Sequence, residues 1–123
     1  MLTKSRQILI VEDQPLISMM MEEMAAELGW EPASAYTSED ALKELATILP
    51  ALAILDIQFA NTTSLEVAAQ CRALDIPIVF TTGLSADDIP KDCRDAPILN
   101  KPFSEDDFAN AVQRAMAQGL RHA

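Results

Sequence analysis

The chain has 123 residues, half of them hydrophobic, and a formal net charge of −10. That length suits one compact domain with a core of its own, and the acidic balance disfavours nucleic acid and anionic membranes, which are themselves polyanionic. No apolar stretch approaches the roughly 20 residues of a transmembrane helix, and Met1 to Arg6 is short, polar and followed by a strand pattern; neither span nor signal peptide is expected, and the chain reads as cytoplasmic.

Strand and helix patterns then alternate along the chain. Residues 7–11, Gln-Ile-Leu-Ile-Val, read as a strand that ends at Glu12-Asp13. Residues 14–28 read as a helix with Ile17, Met20 or Met21, Met24 and Leu28 on one face, stopped by Gly29. Residues 31–36 are a weaker strand. Thr37 or Ser38 opens the next helix, with Ser38 as the capping residue and Glu39-Asp40 in the first turn. That helix is expected to run to about Leu49, where Pro50 closes it. Residues 51–55, Ala-Leu-Ala-Ile-Leu, are an almost purely apolar strand that stops at Asp56. A loop, Ile57 to Thr63, leads to a helix from Ser64 to about Ala73. Residues 77–81 form a fourth strand. A poor helix over about 85–93 contains Pro90 and is expected to be short or mobile. Residues 96–99 form a fifth strand, followed by Lys101-Pro102. Ser104-Glu105-Asp106-Asp107 start a last helix, with Phe108, Val112, Ala115 and Met116 facing inward and an end near Gln118-Gly119.

A βαβ series of this kind implies a parallel sheet covered by helices on both faces. No internal repeat, low-complexity tract or linker is visible, so a single domain over 1–123 without an output domain is expected. Cys71 and Cys93 are too far apart for a CxxC pair and read as reduced, buried or half-buried thiols.

The acids and the lysine carry the chemistry. In open α/β sheets, ligands bind at the carboxyl ends of the strands. Glu12, Asp13 and Asp56 each follow an apolar run, and so does Lys101. Three acids and one lysine at the ends of separate strands suggest a divalent cation and a reactive carboxylate in one pocket. Each motif alone has an ordinary structural explanation: Glu12-Asp13 caps a helix, Asp56 is a loop acid, Lys101-Pro102 is a turn. Their joint occurrence favours a site. His122, the single histidine, reads as a solvated tail residue.

The order of these motifs resembles the receiver domain of two-component response regulators, and the resemblance covers essentially the whole chain. It implies a flavodoxin-like (βα)5 three-layer sandwich with parallel strand order 2-1-3-4-5. Asp56 then matches the phospho-accepting aspartate, Glu12 and Asp13 the acidic pair, Thr82 the hydroxyl switch residue and Lys101 the lysine. The metal implied is Mg²⁺, held by Asp13 and Asp56, by Glu12 directly or through water, and by the backbone carbonyl of Gln58. The partner implied is a histidine kinase or histidine phosphotransfer protein, met by the first helix with its Met19-Met20-Met21 cluster, although helical spacing favours a core role for Met20 or Met21 and Met24. Phe80-Thr81-Thr82-Gly83 resembles the Phe-Ala-Thr-Gly signature of a subgroup frequent in alphaproteobacteria, many of them stand-alone; Ser85 departs from it where a tyrosine is usual. Further departures are Ile98, where an aromatic is common, and Ala60 and Ser64 in place of a proline and a glycine. Gln58 and Leu84 occupy positions that tune phosphoryl lifetime in the family.

The expected function is phosphorelay signalling, by protein contact or as a phosphate sink, with no enzymatic activity beyond self-phosphorylation and autodephosphorylation. Three alternatives fit less well. An aspartyl phosphatase of the haloacid dehalogenase type needs a second acid where Gln58 stands. A flavodoxin needs a hydroxyl- and glycine-rich phosphate loop where Glu12-Asp13 would repel the phosphate. A degenerate receiver that only binds partners does not need the intact acids, threonine and lysine.

Overall fold

The apolar runs 8–11, 52–55 and 78–81 are buried throughout, as central parallel strands covered on both faces must be. The computed structural model describes residues 6–59 and 62–121. Its main sheet holds β1 (Gln7–Val11), β2 (Glu31–Ala35), β3 (Leu52–Asp56), β4 (Ile78–Thr82) and β5 (Ile98–Asn100), all parallel, in the order β2-β1-β3-β4-β5. The helices are α1 (Pro15–Glu27), α2 (Ser38–Thr47), α3 (Leu65–Ala73) and α4 (Glu105–Arg121). A short antiparallel ribbon pairs Gln58–Phe59 with Thr62–Thr63. This is the flavodoxin-like arrangement expected from the sequence.

Strand alternation divides the core into two layers. Leu9, Val11, Leu55 and Phe80 point to one face and pack under α2 and α3 with Ala41, Leu45, Val67 and Cys71. Ile8, Ile10, Ile54, Val79 and Leu99 point to the other and pack under α1 and α4 with Met21, Ala25, Phe108 and Val112. Val11 lies beside Leu55, Leu55 beside Phe80 and Phe80 beside Ile98. The strands therefore end nearly in line, and whatever follows each of them is delivered to one edge.

Several local expectations are corrected. Thr37, not Ser38, caps α2: its hydroxyl accepts the Asp40 N–H at 3.0 Å while its backbone stays extended. The same helix stops at Thr47, because Ile48 is already extended and Leu49 is solvent-exposed. On α1 the buried positions are Ser18, Met21 and Ala25; Met20 and Leu28 point outward. The segment at 85–93 forms no α-helix. Two 3₁₀ turns, Ala86–Asp88 and Lys91–Cys93, flank Pro90, which supplies no amide hydrogen to an α-helical ladder. The fourth crossover is thus made of turns anchored by buried Ile89 and Cys93. The last helix continues past Gly119 to Arg121. Cys71 and Cys93 are buried free thiols, as expected. The residues at Met1–Ser5, Ala60 and His122 lie outside the described residues.

Gly29 does stop α1. Its φ is +90°, and the Trp30 and Gly29 N–H groups bond back to the carbonyls of Ala25 and Ala26 at 3.0 Å each, the Schellman pattern. Arg6 adds hydrogen bonds to the carbonyls of Leu28 and Gly29 and stacks on the Trp30 ring. A Cβ at position 29 would force an L-residue into the left-handed region. Gly29→Ala is expected to destabilise the protein by about 1–2 kcal/mol, read as a lower midpoint in chemical denaturation with an unchanged slope.

Candidate functional site

The carboxyl edge of the sheet brings together four of the side chains singled out in the sequence. Glu12 and Lys101 are the first residues beyond β1 and β5, and Asp56 is the last of β3. Asp13 follows Glu12 before α1 begins. Carboxylate oxygens of Glu12, Asp13 and Asp56 all lie within 4.8 Å of one another. Lys101 Nζ donates to Glu12 Oε1 at 2.5 Å and to Asp56 Oδ2 at 3.1 Å. Glu12 is fully buried, the Asp56 side chain is 6% exposed and that of Lys101 19%. The centre is therefore dry on the protein side and open only along the edge.

Local backbone explains the placement. The Glu12 N–H donates to the Ala35 carbonyl, which keeps β1 in register for one residue past its end. Glu12 Oε2 accepts the Gln14 N–H at 3.1 Å, so the same carboxylate also serves the amino end of α1, where Gln14 makes no side-chain cap and Pro15 is the first helical residue. The capping role and the site role are thus one arrangement. The Ile57 N–H donates to the Thr81 carbonyl, tying the chain after Asp56 to β4. The Lys101 N–H donates to the Thr82 carbonyl at 2.8 Å, and the Lys101–Pro102 peptide is cis.

Thr82 is buried at the end of β4, and its Oγ1 accepts the Leu84 N–H at 2.9 Å. That bond leaves its own hydroxyl proton free to be donated. Gly83 is exposed, with open space around its Cα. Ile98, on β5, is half-buried against the layer that holds Phe80. Gln58 stands two residues past Asp56 with an exposed side chain, and its backbone N–H bonds the Asp56 carboxylate. A hydroxyl not singled out in the sequence also sits here. Thr81 is fully buried, lies directly beside Asp56 in register, and its Oγ1 has no hydrogen-bond partner among the described residues. The sequence did carry a signal for it: Thr81 stands where the Phe-Ala-Thr-Gly signature has alanine.

Charge at this edge is only partly compensated. Burial raises the pKa of Glu12, opposed by the Lys101 and Gln14 hydrogen bonds and reinforced by Asp56. Burial likewise raises that of Asp56, opposed by Lys101 and the Gln58 N–H and reinforced by Asp13. Burial alone would lower Lys101, but its bonds to Glu12 and Asp56 outweigh that and lift it above the ordinary lysine value. One ammonium is doubly satisfied while two carboxylates share it. Such a set of oxygen donors with excess negative charge fits a hard divalent cation.

A cavity of about 470 Å³ opens at the opposite, amino edge of the sheet, lined among others by Arg72, Pro77, Ala96 and Gly119. No residue of the acidic centre reaches it. The chemistry lies at the shallow edge, which a group carried by another macromolecule can reach.

Raised carboxyl pKa values mean that the native state binds these protons more tightly than the unfolded chain. Their ionisation therefore costs stability at neutral pH, and the cost is relieved as pH falls through the folded-state values. Lys101 acts in the opposite window: its contribution is complete below the ordinary lysine pKa and is lost as pH rises through the higher folded value. In metal-free buffer, Asp56→Asn is expected to melt above wild type at neutral pH, and the gap should close on acidification. A gap that stays constant with pH would refute this account.

The chain matches the response regulator receiver domain model over residues 8–113. It is 33% identical over 118 residues to the transcriptional regulatory protein PdtaR of Mycobacterium tuberculosis, spanning 92% of this chain but 58% of that protein. The chain thus spans little more than half the length of that curated relative. The solution structure of SdrG from Sphingomonas melonis Fr1 superposes with a TM-score of 0.83 at 38% identity, covering 94% of this chain and 99% of that one. The response regulator TrrA of Thermotoga maritima, in complex with Mg²⁺-BeF, superposes at 0.76 with 31% identity over 89% of this chain and 97% of that one. With these likenesses laid over an edge that gathers Glu12, Asp13, Asp56 and Lys101, the chain belongs to the response regulator receiver domain family, and its place is in phosphorelay signalling.

Proposed function

We propose that this protein accepts a phosphoryl group on Asp56 from a histidine kinase or histidine phosphotransfer protein, in a Mg²⁺-dependent step. The observation that carries the reading is the convergence of three carboxylates within 4.8 Å, with Lys101 on two of them. An Asp56 carboxylate oxygen attacks phosphorus, the P–N bond of the donor phosphohistidine breaks, and the leaving imidazole keeps the electron pair. The product is an aspartyl phosphate. Such transfers depend on positioning and charge neutralisation more than on proton chemistry.

Mg²⁺ would be held by Asp13 and Asp56, by Glu12 directly or through water, and by the Gln58 backbone carbonyl, and it would neutralise charge on the phosphoryl oxygens. Two details support Gln58. The Ser64 N–H donates to the Ile57 carbonyl, which puts the Gln58–Thr63 pair at a non-bonded position of the ribbon. The Gln58 N–H is turned to Asp56, and in an extended strand the carbonyl of that residue leaves on the same side. Lys101 then serves as a point charge on a phosphoryl oxygen, and Thr82 donates its free proton to another. The exposed Gln58 side chain offers no second acid to a phosphatase mechanism of the haloacid dehalogenase type, and we read autodephosphorylation as the further chemistry of the site. We read the protein as a cytoplasmic, single-domain receiver that signals by protein contact or acts as a phosphate sink, without binding nucleic acid. The match over 99% of SdrG and the acidic charge support this. Among the described residues no helix is long and apolar enough to cross a membrane.

Exposed Leu16, Met19 and Met20 form an apolar patch on α1, beside the site, on an otherwise acidic protein. Methionines adapt to a partner's surface, and this patch fits the helical histidine-bearing donor. After phosphorylation, the movement of Thr82 would pass to Gly83 and the turn-built segment 84–93 rather than to Ile98, which has neither hydroxyl nor ring.

Incubation with a small phosphodonor and Mg²⁺ is expected to add one phosphoryl group to the intact mass, and Asp56→Asn to abolish it; equal labelling of that variant would sink the assignment. Replacing Met19 and Met20 by glutamate is expected to slow transfer from a histidine phosphotransfer protein about tenfold, the scale of one lost interface anchor. Labelling by the small donor should be unchanged.

A further inference from the structure

Thr81 occupies the strand between the two partners of the ion pair. Asp56 is on β3, Lys101 follows β5, and β4 runs between them. Val79 points into the layer under α1 and α4, and alternation turns Thr81 to that same face. Ile54 and Leu99 place Asp56 and Lys101 on it by the same count. Thr81 pairs in register with Asp56 on one side and with Leu99 on the other. The Asp56–Lys101 bond of 3.1 Å therefore passes over the strand position that Thr81 fills.

Burying a hydroxyl without a partner costs stability, which a methyl of the same shape would not. Valine, threonine's near-isostere, would satisfy packing at this position. The hydroxyl makes no hydrogen bond in this arrangement, in which Lys101 donates to Asp56 Oδ2. We propose that Thr81 is a positioning residue of the phosphorylation site: its hydroxyl donates to the Asp56 carboxyl group once the incoming phosphoryl draws the Lys101 ammonium onto itself. The inference rests on Asp56 as the acceptor. It assigns to β4 two hydroxyls with separate tasks, Thr82 on the phosphoryl oxygens and Thr81 on the acceptor carboxyl from the opposite face of the strand. The cost of the orphaned hydroxyl falls on the unphosphorylated state, so that state is selectively disfavoured.

The test is a titration with beryllofluoride in excess Mg²⁺, read as the rise in melting temperature that binding to the native state produces. Thr81→Val is expected to bind about fivefold more weakly than wild type, the size of one net hydrogen bond, while its ligand-free melting temperature equals or exceeds that of wild type. Thr81→Ser, which keeps the hydroxyl, is expected to bind within about twofold of wild type. Thr81→Val binding as tightly as wild type would overturn the proposal, as would Thr81→Ser and Thr81→Val losing affinity alike, which would mark a packing role. Failure of the underlying reading looks different: wild type would then show no response to beryllofluoride, and Asp56→Asn would still be labelled by a small phosphodonor.

Discussion

One half-buried lysine shared by two buried carboxylates organises the carboxyl edge of this protein. Lys101 reaches Glu12 from β1 and Asp56 from β3 and so bridges the sheet above β4. A buried ion pair is weak evidence of stability, because desolvation offsets most of the attraction. Here there is a surplus carboxylate as well, and both Glu12 and Asp56 are pushed toward their neutral forms. The edge therefore holds an excess of negative charge that an added cation would offset.

The remainder of the molecule carries that edge. Two apolar layers flank the sheet, and the central strands β1, β3 and β4 are buried almost throughout. Their registers bring the strands to an end nearly level, so that side chains far apart in sequence meet within hydrogen-bonding distance. Lys101 and Glu12 are 89 residues apart along the chain. The packed sheet thus sets the positions of the side chains at the edge.

The crossover between β4 and β5 is built differently from the others. It consists of two 3₁₀ turns around Pro90, tied down by Ile89, Cys93 and the bonds of Arg94 to the Ile89 carbonyl. Fewer helical hydrogen bonds lower the cost of rearranging such a segment. It begins right after Thr82 and Gly83, next to the acidic edge.

Much of this was legible in the sequence because it depends on local pattern. Apolar runs of four or five residues ending in an acid or a lysine mark strands and their functional ends, and the alternation with helical periods implies a parallel sheet. Asp56, Glu12, Asp13, Thr82 and Lys101 could all be named from that order. Gly29 marks the end of the first helix in the sequence as in the structure, whereas the weak helical pattern around Pro90 becomes two 3₁₀ turns. Tertiary structure alone decided what depends on who sits beside whom. It chose Met21 over Met20 for the core, made Thr37 the cap, and gave the lysine two carboxylates to share. It also set Thr81 against Asp56 with a buried, unpartnered hydroxyl. Sequence order specifies which residues reach the end of each strand; only the packed sheet, with its order and register, determines the distances and the dry environment that set their charges.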